Sequence, residues 1–496
     1  MRLAIPLSRD PASSLAAISG ALRIWEEYRI EGFIILKTRH TPESLVNKLK
    51  KDLETLKLPM EEKLMPSIVD YGDGQTLIRD VERLISSLDD RVGILVSSAG
   101  RSAAAALTAA SIRHSSEDGN TAFHVNFFFG PWRGLHYPYT PRGTQRVIVL
   151  HDPGWLRDER RERPENAASL QRFKLHYSKQ NECLREDRTE TGLPLLRCTV
   201  AEMTRRLNEA AAWGGEPGSH IPVSVVARKG SIKRRHKLIP VNPIEILGLS
   251  DSLHSFLFEV AERLEHTEPG GTAFKSSLAW TGLSRLHTRQ DNRETDLHSF
   301  LSSTYKRIIV DTNLVFYGIH FYAWETGRIE LPQCVEREIT SKWAEIIKRG
   351  KLSSPDRLVR ALAVLGLEDL LYSSQSVAPS PPGGCDTAIP MMDLQLLNGN
   401  YIATSDDGAY RYWKRHPASR VAKPVKVSFD PRKPPSKMYD KGEPVELARL
   451  YYASVQTLLV LDLMRENGLI DDLEIKAGDV VVRPPTKALE TGLGLS

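Results

Sequence analysis

The sequence predicts an α/β protein of several domains, and three observations carry that prediction. Short β-branched runs alternate with amphipathic helical patterns through the first third of the chain, as they do when a parallel sheet is wrapped in helices. The same alternation returns beyond Tyr305. There, two of the strand-like runs stop on acids.

Taken in order, residues 3–7 form the first strand and lead through Ser8, Arg9 and Asp10 into a helix over 12–28. Residues 32–36 are the second strand, followed by a helix that starts near Thr41-Pro42-Glu43 and runs to about Leu56. A weaker strand at 67–69 precedes a helix over 75–88. Residues 92–96 make a fourth strand, and Ser97-Ser98-Ala99-Gly100-Arg101-Ser102 then turns into an Ala-rich helix. Strands at 122–129 and 146–150 complete a Rossmann-like domain over residues 1–152.

Loops at the carboxyl ends of such strands line a crevice where helix N-termini offer backbone donors to anions. Ser8, Arg9 and Asp10 occupy one such loop. Ser97, Ser98, Gly100, Arg101 and Ser102 occupy another. No Gly-x-Gly-x-x-Gly follows the first strand, which argues against a dinucleotide, and no Walker lysine indicates nucleotide hydrolysis.

Residues 153–300 read as a linker region. A mixed-charge run over 156–163 suits a solvated helix face. Residues 199–213 read as an amphipathic helix capped by Thr199, with Glu202 three residues on. Two β-like runs within 221–241 flank a basic turn, which reads either as the wing of a winged helix-turn-helix or as a hairpin packed between domains. Residues 244–265 are helical by periodicity. Gly270-Gly271 and the polar stretch 288–295 read as linker.

The third segment, 301–496, carries the chemistry. Ile308-Ile309-Val310 is a buried strand that delivers Asp311 at its carboxyl end. Pro332 suits a first helical turn, which puts Glu338 two turns into that helix. Asp386 opens an apolar segment after a Pro- and Gly-rich loop. A second strand ends in Thr404-Ser405-Asp406-Asp407. Two carboxylates at about 4 Å repel by roughly 4 kcal/mol at an effective dielectric near 20, so convergence of these acids calls for a neutralising cation. Hard oxygen ligands select Mg²⁺ or Mn²⁺, with Asp311, Glu338, Asp386, Asp406 and Asp407 as candidate ligands. Taken one at a time, Glu338 also reads as a solvated helix residue, Asp386 as an N-cap and Asp407 as a turn residue. Beyond them, Arg411, Trp413, Lys414 and Arg415 interleave cations with an aromatic. That composition suits a single-stranded polynucleotide, or a solvated helix face with a buried Trp413. Residues 354–371 and 443–465 read as helices, the latter strongly apolar, and the tail beyond Pro484 as loosely ordered.

At 496 residues, with 41% apolar and 26% charged side chains and a net charge of +5, the chain has the balance of a soluble globular protein with a slight preference for anionic partners. No run of apolar residues is long enough for a membrane span, and the N-terminus turns polar too soon for a signal peptide. Cys183, Cys198, Cys334 and Cys385 form no Cys-x-x-Cys pair. We therefore expect neither a zinc ribbon nor a disulfide framework, and a cytoplasmic location. Cys334 and Cys385 each lie close to a candidate acid, which reads either as a site that brings them together in space or as packing, and packing is the expected reason.

The Asp311-Thr312-Asn313 triplet, Glu338 after a proline, Asp386 and the Thr404-x-Asp406 motif together resemble a PIN-domain nuclease, over roughly residues 305–429. The resemblance implies a PIN-like α/β fold and metal-dependent endonuclease activity in which Asp311, Glu338, Asp386 and Asp406 are catalytic. The polar loop after the first strand and Ser97 to Ser102 after the fourth resemble a CARF domain, the CRISPR-associated Rossmann fold, over about residues 1–150. Ala99-Gly100-Arg101 departs from that family's commoner paired glycines. This second resemblance implies a cyclic oligoadenylate as activator and a ligand cleft shared by two protomers, hence a homodimer. Together they imply a sensor fused to an effector that cuts single-stranded RNA or DNA in antiviral defence. Two other readings stay open: a ligand-responsive transcription regulator with a vestigial nuclease, and a toxin-like ribonuclease indifferent to cyclic nucleotides.

Overall fold

The computed structural model describes residues 1–8, 11–67, 74–88, 91–113, 119–125, 132, 135–137, 139–140, 147–161, 196–210, 221–227, 234–238, 253–255, 257–259, 261–262, 272–290, 293–349, 354–373, 377–432, 444–477 and 480–486. The chain is α/β and divides into two compact units. One comprises Met1–Phe128, Gly134–Arg185 and Leu207–Ser219, the other Phe129–Arg133, Glu186–Arg206 and His220–Ser496. The segment 153–300, read from sequence as a separate linker region, is thus shared between them.

The first unit contains β1 (Arg2–Leu7), α1 (Pro11–Glu27), β2 (Gly32–Lys37), α2 (Glu43–Leu53), β3 (Met60–Leu64), α3 (Gly74–Ser86), β4 (Val92–Leu95), α4 (Arg101–Arg113), β5 (Thr121–Val125) and β6 (Val147–Val149). Its strands lie in the order β3-β2-β1-β4-β5-β6. They are parallel except for β6, which runs antiparallel to β5. Alternate residues of these strands point to opposite faces. Ala4, Ile34, Ile94 and Ala122 pack with Leu77, Val81 and Ile85 of α3 and Leu107 of α4. On the other face α1 comes down on Leu95 at Gly20, where a Cβ would stand 2.8 Å from the leucine methyls.

The third strand lies at Met60–Leu64, not at 67–69 as expected; Ile68 and Val69 fall outside the described residues. The reason is its place at the sheet edge, where charge guards against further pairing and apolar content is not required. Glu61 pairs with Arg2, and Glu62 pairs with Lys50 and, at 2.6 Å, with Lys37.

Further along the chain come α5 (Leu196–Ala210), β7 (Ile221–Ala227), β8 (Arg234–Leu238), α6 (Thr272–Trp280), β9 (Leu286–Gln290), β10 (Arg293–Asp296), α7 (Leu297–Ser303) and β11 (Ile308–Val310). They are followed by α8 (Thr312–Phe316), α9 (His320–Thr326), β12 (Ile329–Pro332), α10 (Gln333–Arg349), α11 (Ser354–Ser373), β13 (Val377–Ala378), α12 (Cys385–Ala388), β14 (Tyr401–Thr404) and α13 (Asp407–Arg415). β15 (Lys423–Phe429), α14 (Pro444–Glu466), β16 (Ile470–Ala477) and β17 (Val480–Val481) close the chain. The second unit's main sheet has the order β10-β9-β15-β14-β11-β12-β13. Its pairs are parallel from β15 to β13 and antiparallel from β15 to β10. Helices α8, α10 and α11 pack on one another.

Three expectations for the middle segment change. Residues 288–295, read as linker for their polarity, belong to the β9–β10 hairpin, which covers the edge of β15. There Thr288 Oγ1 donates to Thr295 O at 3.2 Å and Arg285 lies 3.3 Å from Asp296. Thr199 sits inside α5 and not at its cap, because the helix already begins at Leu196. Runs β7 and β8 do form a hairpin, but β7 pairs on its other side with β16 in a sheet ordered β17-β16-β7-β8. It is therefore no free-standing wing, and the basic turn at 228–233 lies outside the described residues. Among the described residues no helix is long and apolar enough to cross a membrane.

Candidate active site

In the second unit the chain leaves β11 for β12 on one side, and β14 returns on the other, which makes β11/β14 a topological switch point. Open α/β sheets place ligands in the crevice beyond the carboxyl ends of such strands. Register pairs Val310 with Ala403, so Asp311 and the Thr404-Ser405-Asp406 turn emerge side by side.

Asp311 is only 2% exposed. Its Oδ1 accepts from Thr312 N at 2.7 Å, and its Oδ2 accepts from Thr404 Oγ1 and Asn313 Nδ2, both at 2.8 Å. Asn313 spans the strand ends: its Nδ2 also donates to Thr404 Oγ1 at 3.0 Å, and its Oδ1 accepts from Ser405 N at 3.0 Å. Asp406 N completes the lacing by donating to Thr404 Oγ1 at 3.0 Å. Burial pushes the Asp311 carboxyl up to about 6 in spite of these donors, and the charges of Asp386 and Glu338 add to the rise.

Glu338 reaches the same place from α10. Its Oε1 accepts from Cys385 N at 2.8 Å, so the carboxylate sits at the start of α12, and its Oε2 lies 3.9 Å from Lys342 Nζ one turn on. Asp386 follows at the next position of α12. Partial burial raises its carboxyl, and so do Asp406 and Glu338. Acids from four separate elements are thus linked through Asp386, which feels Asp406 and Glu338, while Asp311 feels Asp386 and Glu338. Among the described residues, no three His, Cys, Asp or Glu side chains already stand at the spacing of a bound metal ion.

The remaining sequence candidates are placed differently. Asp406 Oδ1 caps α13 by accepting from Ala409 N at 2.7 Å. Asp407 is exposed and pairs with Lys426 at 2.8 Å, and that hydrogen bond holds its carboxyl below the usual range. Arg411, Lys414 and Arg415 are exposed on α13, whereas Trp413 is fully buried. Its indole Nε1 donates to the Asp386 carbonyl at 2.7 Å, so it positions an acid and presents no face to a base. The aromatic that is open on this helix is Tyr412, beside His416.

One contributor had no signal in the sequence, and another had one that was read as packing. Tyr317 packs against Phe429 with ring centroids 4.8 Å apart, and its hydroxyl is raised by burial, lowered by Ser405 and raised again by Asp406. Cys334 and Cys385, expected merely to pack, are joined in a disulfide with Cα atoms 5.4 Å apart. An open depression of about 690 Å³ runs from Glu338 along α10, lined by Arg337, Thr340, Ser341, Gly383 and Gly384.

In the first unit the strand order reverses between β1 and β4. Ser98 Oγ is buried there and donates to Pro6 O at 2.8 Å and Leu95 O at 3.1 Å, while Ser97 Oγ accepts from Val125 N at 3.2 Å. These two hydroxyls tie strand ends together. Gly100, Arg101 and Ser102 are exposed where α4 begins, and Ser8 is half-buried after β1. Arg9 and Asp10 lie outside the described residues.

Comparison with family models, with curated proteins and with solved structures gives no match.

Proposed function

We propose that the second unit is a metal-dependent phosphodiesterase that cuts single-stranded RNA, or single-stranded DNA, internally. The observation that carries this reading is the gathering of Asp311, Glu338, Asp386 and Asp406 at a switch point, where β11 and β14 end side by side, Glu338 binds the start of α12, and Asp386 feels the charges of Glu338 and Asp406. A fold keeps like charges together at a cost, and the donor set, all carboxylate oxygen, fits Mg²⁺ or Mn²⁺. When bound, such an ion acts as a Lewis acid on phosphate and lowers the pKa of water.

The chain's own side chains supply the rest. Thr404 and Asn313 hold Asp311 in one orientation, and Trp413 fixes the backbone of Asp386. Glu338 and Asp406 are the two groups available to orient a nucleophilic water. Arg411, Lys414 and Arg415 would hold the polynucleotide backbone. The exposed start of α4 supports a role for the first unit in binding an anionic ligand, and we assign it a cyclic oligoadenylate that switches a homodimeric, cytoplasmic enzyme of CRISPR-associated defence. Such a ligand activates only by preferring the competent conformation.

The test incubates labelled single-stranded RNA and DNA with Mg²⁺ or Mn²⁺, with and without cyclic oligoadenylates, beside an Asp311→Asn control. Cleavage that requires the metal, rises with the ligand and is lost in the variant is expected. Cleavage by the variant at the parent's rate would overturn the mechanism, and indifference to the ligand would overturn the control.

A further inference from the structure

We infer that the Cys334–Cys385 disulfide is a redox-sensitive clasp that holds Glu338 and Asp386 in register. The inference rests on the nuclease reading for the activity being regulated, and on the geometry alone for the clasp.

Cys334 lies in the first turn of α10, four residues before Glu338 and on the same helix face. Cys385 opens α12, one residue before Asp386. A single covalent bond thus joins the two elements that carry two of the four acids, across a sequence separation of 51. Noncovalent links run beside it: Cys385 N to Glu338 Oε1 at 2.8 Å, Cys334 N to Ser380 Oγ at 2.8 Å and Arg337 Nη2 to Pro381 O at 2.6 Å. Thr312, the neighbour of Asp311, donates its hydroxyl to Cys385 Sγ at 3.3 Å. The bond therefore touches the elements of three acids. Among the described residues Cys198 takes part in no disulfide, so there this pair stands apart from any stabilising framework of the kind small secreted domains use.

The reaction is thiol–disulfide exchange. A thiolate of a dithiol reductant attacks one of the two sulfurs, and the other leaves as a thiolate and takes up a proton. The second thiol of the reductant, as its thiolate, then attacks the reductant's own sulfur in the mixed disulfide, closing the reductant's disulfide and releasing the remaining protein sulfur as a thiolate that takes up a proton. Two electrons and two protons pass to the protein, which holds two thiols, and the reductant leaves as a disulfide. Exposed Gly383 and Gly384, which line the depression beside Glu338, give the approach to Cys385. Two thiol sulfurs need more room than two bonded ones. Cys334 and Cys385 are 0% and 1% exposed, and close-packed surroundings transmit such a shift instead of absorbing it. What moves is the start of α12, and with it Asp386 and the Cys385 N–H that anchors Glu338.

The experiment compares full-length protein whose disulfide is verified by thiol alkylation and mass spectrometry with the same protein reduced by a dithiol and desalted anaerobically. Amide hydrogen exchange over residues 380–388 and the rate of RNA cleavage with Mn²⁺ are both read. Reduction is expected to speed exchange and to slow cleavage, each by about tenfold, the lower end of what loss of a ligand-orienting contact costs. Reoxidation should restore both, and the Cys334→Ala/Cys385→Ala variant should stay at the reduced values whatever the redox state. Exchange that ignores reduction of the parent overturns the clasp, with or without a foldable variant. If exchange responds and neither state cuts RNA, the clasp stands and the nuclease reading falls; if exchange responds and both states cut equally, control by the clasp is overturned.

Discussion

Replacing Asp311 by asparagine should make the protein more stable at alkaline pH while it abolishes cleavage. Burial raises the Asp311 carboxyl from 3.8 to about 6. The folded state therefore binds a proton more tightly than the unfolded chain, and ionisation of this group costs stability. The penalty is absent well below pH 3.8, grows between 3.8 and 6, and is constant above. Two pKa units amount to about 3 kcal/mol at pH 8 and roughly half of that at pH 5. Asparagine removes the charge and keeps one acceptor oxygen for Thr312 N. Its amide then faces Thr404 Oγ1 and Asn313 Nδ2, two donors that lose the acceptor Oδ2 supplied, at about 1 kcal/mol each. The net gain at pH 8 is about 1 kcal/mol, or roughly 1–2 °C in melting temperature for a unit of about 300 residues.

The assay is thermal unfolding of parent and Asp311→Asn in a chelator, at pH 8 and pH 5. We expect the variant to melt higher at pH 8 and the gap to shrink at pH 5. Adding Mn²⁺ should narrow the gap at pH 8, because the ion binds the parent's full carboxylate set more tightly than the variant's remaining acids. A variant that melts at or below the parent at pH 8, or a gap that is the same at both pH values, would refute the claim that burial and neighbouring acids strain this carboxylate.

Single changes of Arg411, Lys414 or Arg415 to alanine should weaken binding of single-stranded RNA and each reduce the slope of log affinity against log salt by about 0.7; anisotropy titrations that leave the slope unchanged would move the substrate path off α13. Trp413→Phe removes the donor to the part-buried Asp386 carbonyl, which should cost about 1 kcal/mol in urea unfolding and lower kcat; a normal kcat would show that this bond does not position the acid. Gly318 has φ +82°, and a Cβ there would lie 2.6 Å from Trp280 Cα and 2.7 Å from Ala279 O. Gly318→Ala should therefore destabilise by at least about 2 kcal/mol, and an unchanged melting temperature would refute the close approach of these two segments.

Elements that bury an unbroken apolar run were readable in advance. Ile308, Ile309 and Val310 can satisfy their backbone only inside a sheet, so an acid directly after them has to stand at its edge. Of the strands that escaped reading, β3 and the β9–β10 hairpin lie at a sheet margin, β3 held by ion pairs and β9–β10 by backbone pairing, and neither needs the hydrophobic run that periodicity detects; β12, β15 and β16 are paired on both sides and escaped because charged residues interrupt their apolar pattern. For Trp413 the signal was present and pointed inward. Ala409 and Trp413 are four residues apart on one face of α13, and both are buried, while Arg411, Lys414 and Arg415 take the opposite side. Its aromatic ring among cations invited a stacking role, yet the spacing already made it the helix's anchor. The Cys334–Cys385 contact is of another kind. Each cysteine stands within four residues of a candidate acid, so once the acids converge at the strand ends the sulfurs are brought together with them. Proximity of the thiols is thus a corollary of the site, and no count or spacing of cysteines along the chain contains it.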